Sequence, residues 1–151
     1  MKVEFKKFNE NAVIPTAATG GSGGWDVTVT EIEKVDDDFV ICKLGFGLKI
    51  PFGYKVMIVP RSSLTKYAWV IPNSPGLIDS DYRDEIQVRF RAIPNSAQKM
   101  FGTQISYPGF PYKVGDRIAQ MYLQEVIQMD FLEVEELDKT TRDGGFGSTG
   151  K

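Results

Sequence analysis

The 151-residue chain has no histidine and a single cysteine, Cys42. Without histidine there is no imidazole to serve as acid or base near neutral pH. Ser-His-Asp and Cys-His nucleophiles and histidine metal ligands are excluded with it. One thiol forms no internal disulfide and no cysteine zinc cluster. No run approaches 18 consecutive apolar residues, so no transmembrane helix is expected. Neither sign of charge dominates: 18 Lys+Arg face 20 Asp+Glu, a net charge of -2. That balance argues against a basic nucleic-acid footprint across the whole surface, while leaving room for a local basic pocket for a small anion. Any chemistry must come from carboxylates, arginines, hydroxyls, backbone amides or a hard metal ion.

The first eight residues alternate apolar and charged and lack the apolar stretch of a secretion signal. They predict a strand, and a reducing cytoplasmic setting (a host cell, for a viral gene) is the expectation. Fifteen glycines and eight prolines cut the chain into short pieces. Between them, period-2 and β-branched runs predict strands at 3–8, 25–30, 39–43, 47–50, 54–59, 86–92, 117–123 and 131–134. One or two helical turns are expected at 62–67. The length suits one domain, and many short strands with regular turns predict an all-β sandwich or barrel. Residues 1–142 form this domain in the sequence reading, and 143–151 a flexible glycine-rich tail.

Several segments carry chemical potential. In Pro60-Arg61-Ser62-Ser63-Leu64 an Arg fork and two hydroxyls at the start of a helical turn suit a phosphate; the plainer alternative is a hydroxyl N-cap beside a surface Arg. Asn73 to Gly76 predicts a tight hairpin turn, and Asp79 and Asp81 at i and i+2 share one face of an extended strand. Such a carboxylate can polarise a water, with Tyr82 offering a ring to a flat ligand; the alternative is an exposed Asp-Ser-Asp turn. Asp116, in Gly115-Asp116-Arg117-Ile118-Ala119-Gln120, can pair with an Arg and orient it, leaving Gln120 as a polar side chain on a β surface. The tail from Arg142 to Gly150 sets a charge, a Phe ring and two hydroxyls among glycines. It suits a nucleotide, or is a flexible linker.

Taken in order, Gly24-Trp25-Asp26, Pro60-Arg61-Ser62-Ser63, Gly76-Leu77-Ile78-Asp79-Ser80-Asp81-Tyr82-Arg83, Gly115 to Gln120 and Gly144 to Gly150 resemble the five motifs of trimeric dUTP diphosphatases, the dUTPases. They span nearly the whole chain. The resemblance implies a distorted jelly-roll β-barrel, a homotrimer, and three active sites built between subunits. It implies Mg²⁺-dependent hydrolysis of dUTP to dUMP and pyrophosphate, by water attack on the α-phosphorus. That reaction limits dUTP and supplies dUMP for dTTP synthesis.

By the same resemblance, Asp79 activates the water, and Tyr82 lies under the deoxyribose and excludes a 2′-hydroxyl. Asn73, with the backbone of the hairpin around Gly76 and Ile78, reads uracil. Ser62, Ser63 and Gln120 contact phosphates, with Arg61 held near them by Asp116. Asp26 supports the metal through water. Phe146, followed by Gly147, stacks on uracil as the tail closes like a lid, and Arg142, Ser148 and Thr149 grip the γ-phosphate. A dCTP deaminase of the same fold and a nucleotide-switched binding protein are the alternatives, and the segment 78–82 and the Phe146 tail favour the dUTPase. No stable nucleic-acid or membrane partner is expected.

Two departures stand out. Asp84 replaces the usual glycine after the Tyr-Arg pair. The connection 96–112 is longer than is usual in the family and carries Phe101, Tyr107, Phe110 and Tyr112. It is expected to pack on the barrel or a neighbouring subunit, or to bind another protein.

Overall fold

A computed structural model of the chain describes residues 1–94 and 106–141. Among them are ten strands and no α-helix. The strands are β1 (Glu4–Lys7), β2 (Trp25–Thr28), β3 (Glu31–Lys34), β4 (Phe39–Lys43), β5 (Phe46–Lys49), β6 (Tyr54–Pro60), β7 (Trp69–Val70), β8 (Gly76–Ile78), β9 (Gln87–Ala92) and β10 (Arg117–Glu125). Two four-stranded antiparallel sheets, β2-β10-β6-β8 and β3-β4-β9-β7, are joined by a two-stranded ribbon, β1-β5. The arrangement is that of a jelly roll, although the ladders do not run on into one closed barrel.

Alternation places the core. In β9, Val88, Phe90 and Ala92 point inward and Gln87, Arg89 and Arg91 outward, and Val40 and Cys42 of β4 face the same interior. Val27, Val56, Ile58, Ile118 and Ala119 meet them from the other sheet. Each large side chain buried this way contributes about 1.5–3 kcal/mol. Gly47 is required where β5 passes under two neighbours: a Cβ there would stand 2.7 Å from Phe8 and 2.9 Å from the Asp84 carbonyl oxygen.

The strands expected at 3–8, 25–30, 39–43, 47–50, 54–59, 86–92 and 117–123 are present with small shifts. Residues 131–134 are not a strand; Phe131 and Leu132 are 90% and 85% exposed. Three short strands, β3, β7 and β8, carry too few alternating residues to stand out in the sequence. The expected hairpin at Asn73 is a crossing between sheets, because β7 pairs with β9 and β8 with β6. Its turn is closed by the Ser74 amide on the Ile71 carbonyl, with a cis peptide before Pro75.

The described end of the long connection is part of the core. The Trp69 indole donates to the Gly109 carbonyl at 3.1 Å, and Phe110 packs edge-on against Trp69 and Phe90 at 5.0 and 5.3 Å. Packing on the barrel thus holds for 106–112, while 95–105 lie outside the described residues. No helix among the described residues is long and apolar enough to cross a membrane.

Candidate active site

Strand pairing builds the first half of the site. β10 lies between β2 and β6, with Gln120 opposite Asp26 and Ala119 opposite Pro60. Asp26 therefore emerges beside Gln120, and the chain leaving β6 delivers Arg61 to the same place. The Asp26 side chain is 4% exposed and takes three donors. Arg61 Nε and Gln120 Nε2 donate to Oδ1 at 3.1 and 3.0 Å, and Arg117 Nη1 donates to Oδ2 at 2.9 Å. Arg61 Nη1 also donates to the Arg117 carbonyl at 3.0 Å.

This corrects the expected Arg61–Asp116 pair. Asp116 instead accepts the Lys113 amide at 2.9 Å and closes the turn into β10, where Gly115 adopts φ +92. One buried carboxylate between two guanidiniums leaves a net positive charge, and Arg61 keeps N–H groups free for an anion.

After Arg61, the chain makes one 3-10 turn, Ser62–Lys66, with no side-chain cap. The hydroxyls at 62 and 63 are thus not spent on capping, and the turn is narrower than the one or two α-turns expected.

The expected metal role of Asp26 meets a restriction. With both carboxylate oxygens engaged, only the second lone pair of Oδ2 is left to accept a hydrogen bond. That fits outer-sphere contact with water on a magnesium ion, which keeps much of its hydration, and does not fit a direct ligand. No cluster of three or more acidic or sulfur ligands occurs among the described residues.

The second half is the turn after β8. Ile78 pairs with Val56 near the start of β6, so Asp79 leaves the sheet beside Lys55. Asp79 is exposed and borders an open depression of about 290 Å³ with Tyr54, Lys55, Ser80, Asp81 and Gln128. The turn is braced internally. The Tyr82 amide donates to the Asp79 carbonyl at 3.2 Å, and Arg83 Nη1 donates to the Ser80 and Tyr82 carbonyls at 2.7 and 3.0 Å. The Tyr82 hydroxyl donates to the Glu85 carbonyl at 3.1 Å, and the Glu85 carboxylate accepts the Gly45 amide at 2.8 Å. Partial burial pushes the Tyr82 phenol above its usual range, helped by the Asp84 and Glu85 charges. Asp84 therefore adds negative charge next to a ring that stays neutral.

Asn73 borders a separate depression with Phe39, Pro72, Gln87 and Arg89, and Gly76 packs between Asn73 and Ile58. Asp79 and the Arg61 cluster sit at opposite ends of β6. At about 3.3 Å per residue, six positions separate them by about 20 Å. One chain does not bring the carboxylate to the cationic cluster. Arg142, Phe146, Gly147, Ser148 and Thr149 lie outside the described residues. The sequence motifs assign no role to Arg117 or Glu85; both depend on long-range register, and only the β2–β10 and β4–β9 pairings would have found them.

The sequence profile of the dUTPase family matches residues 10–150. The deoxyuridine 5'-triphosphate nucleotidohydrolase of Helicobacter pylori (strain Shi470) is 39% identical, over 99% of this chain and 97% of its own. The enzyme of the same name from Nautilia profundicola is 39% identical, over the full length of both. Among solved structures, the dUTPase of Staphylococcus bacteriophage 80alpha with dUPNHPP has a TM-score of 0.77 at 20% identity, covering 99% of this chain and 98% of that one. A D95N dUTPase from S. aureus phage phi11, described with a structural Mg(II) ion, has a TM-score of 0.69 at 20% identity, covering 90% and 98%. The two phage structures establish the likeness of fold, and the profile and the full-length relatives show that this chain belongs to the dUTPase family.

Proposed function

We propose that the protein hydrolyses dUTP to dUMP and pyrophosphate, with Mg²⁺ entering on the triphosphate, and that each active site is shared between chains of a homotrimer. The observation that carries the shared site is the separation of Asp79 from the Asp26-Arg61-Arg117-Gln120 cluster along β6. A second copy is needed to set a carboxylate opposite that cluster. The surface is compatible with this: Ile127, Met129, Phe131, Leu132 and Leu137, in the segment after β10, are all exposed in the single chain, and exposed large apolar side chains suit a subunit contact.

In this reading Arg61 binds the triphosphate, held in orientation by Asp26 and assisted by Ser62, Ser63 and Gln120. Asp79 takes a proton from a water as its oxygen bonds to the α-phosphorus, and the bond to the bridging oxygen breaks. Pyrophosphate leaves and dUMP remains. Asn73 and the backbone around Gly76 and Ile78 read uracil by hydrogen bonding, which discriminates well because a wrong base leaves buried polar groups unpaired. Tyr82, braced through its hydroxyl, presents its ring to the sugar. Residues 143–151, with Phe146, Gly147, Ser148 and Thr149, close over the site, and Arg142 reaches the γ-phosphate. Catalysis is mostly positioning and charge stabilisation. The reaction limits dUTP and supplies dUMP.

Mixed oligomers test the sharing. Asp79→Asn and Arg61→Ala are each expected to be inactive. Co-expressed, they should regain a measurable fraction of dUTP turnover, because some sites receive Asp79 from one chain and Arg61 from another. No regained turnover in verified mixed oligomers would refute the shared site.

A further inference from the structure

Residues 83–86 are clamped onto the turn between β4 and β5. The Ile86 amide donates to the Phe46 carbonyl at 2.9 Å, and the Leu44 amide to the Ile86 carbonyl at 3.1 Å. Gly47 passes so close to the Arg83 and Asp84 carbonyl oxygens that an added Cβ would stand 3.1 and 2.9 Å from them. A side chain completes the clamp: the Gly45 amide donates to Glu85 Oε1 at 2.8 Å. Gly45 is buried, adopts φ +74, and accepts the Phe8 and Asn9 amides at its own carbonyl, at 2.7 and 3.1 Å. It is therefore a fixed point. The backbone carbonyl of Glu85 in turn accepts the Tyr82 hydroxyl at 3.1 Å. One residue thus forms a strut, with its carboxylate on a buried turn and its carbonyl on the Tyr82 ring.

We propose that Glu85 is a positioning residue for sugar discrimination: its carboxylate, anchored on the Gly45 amide, fixes the carbonyl that pins the Tyr82 ring against a 2′-hydroxyl. This rests on the reading of Tyr82 as the residue under the deoxyribose of dUTP. A ring excludes an extra oxygen only if moving it aside costs free energy, and the pinned hydroxyl supplies part of that cost. A ribonucleotide that displaces the ring breaks the bond, whereas a deoxyribonucleotide leaves it intact. The contact differs between the two substrates, which is what discrimination requires. Glu85 achieves this without touching substrate.

Glu85→Ala removes the anchor. The ratio of kcat/KM for UTP to that for dUTP should rise about threefold to fivefold, the worth of one part-exposed neutral hydrogen bond, with kcat for dUTP within twofold of wild type. Tyr82→Phe keeps the ring and removes the hydroxyl, and should give the same rise. The double variant should exceed neither single one, since both break the same strut. Glu85→Gln keeps an acceptor oxygen for the Gly45 amide and should restore the wild-type ratio. Glu85→Ala also leaves a buried amide without its acceptor and should lower Tm. Val40→Ala, a core truncation on β4, lowers Tm as well and should leave the ratio unchanged. If Glu85→Ala does not fold, Glu85→Asp, one methylene shorter, takes its place with the same expected rise. A rise of less than about twofold in the Glu85 variant or in Tyr82→Phe would overturn the proposal. So would an equal rise in Val40→Ala, a raised ratio in Glu85→Gln, or effects that multiply in the double variant. If Tyr82→Ala also leaves the ratio unchanged, the reading of Tyr82 falls too; if Tyr82→Ala raises it and the Glu85 variant does not, only this inference falls.

Discussion

Asp26→Asn is the sharpest probe of how the cationic cluster is held. The substitution keeps shape and removes charge. An asparagine oxygen in the Oδ1 position still accepts from Arg61 Nε and Gln120 Nε2, now as a neutral acceptor. Its amide nitrogen then faces Arg117 Nη1, donor against donor. A hydrogen bond to a charged group is worth about 1.5–3 kcal/mol and a neutral one about 0.5–1.5. Arg117 is 55% exposed and turns to water at little cost, whereas Arg61 is 25% exposed and does not. The sum is a destabilisation of about 2–3 kcal/mol. For a chain of this size each kcal/mol shifts Tm by about 2–4 °C, so Tm should fall by about 4–12 °C. Scanning calorimetry at fixed protein concentration reads the shift. With its tether weakened, Arg61 should also bind phosphate less well, and KM for dUTP should rise about tenfold. Asp116→Asn is the control. It weakens only the cap on the Lys113 amide and should cost about 1 kcal/mol. Equal Tm loss in the two variants, or an Asp26→Asn protein within 1 °C of wild type, would refute this account of the cluster.

Two further outcomes follow from the geometry. Tyr82→Ala removes the braced ring and should raise kcat/KM for UTP relative to dUTP; an unchanged ratio in parallel assays would move sugar recognition elsewhere. Cys42 lies in the core, and burial pushes its thiol from 9.0 up to about 12. It should therefore stay unreactive toward a disulfide reagent at pH 8 until the protein unfolds. Because the folded value is the raised one, the stability linked to this group is complete below about pH 9 and is lost as pH rises toward 12. Prompt labelling of the folded protein would contradict that burial.

What could be read in the sequence was local. Period-2 alternation marks β9 and β4 because each buries one face, and the family's motifs mark Asp26, Arg61, Asp79, Tyr82 and Gln120 because glycines and prolines frame them. What could not be read was register. Asp116 and Asp26 are equally plausible partners for Arg61 by composition. Only the pairing of Gln120 with Asp26 decides between them, and residues 94 positions apart carry no local sign of it. The same holds for β8, whose three residues join a different sheet from β7, so a turn that looks like a hairpin crosses the sandwich instead. Residues 131–134 read as a strand by residue type, yet they pair with no strand among the described residues.

Pyrophosphate release from dUTP, dCTP, dTTP and UTP with Mg²⁺, measured side by side for wild type and Asp79→Asn, tests the central claim most directly. The account predicts release from dUTP in strong preference to the other three, and its loss in Asp79→Asn with dUTP still bound. Release from none of the four by wild type, or full dUTP turnover by Asp79→Asn, would contradict it.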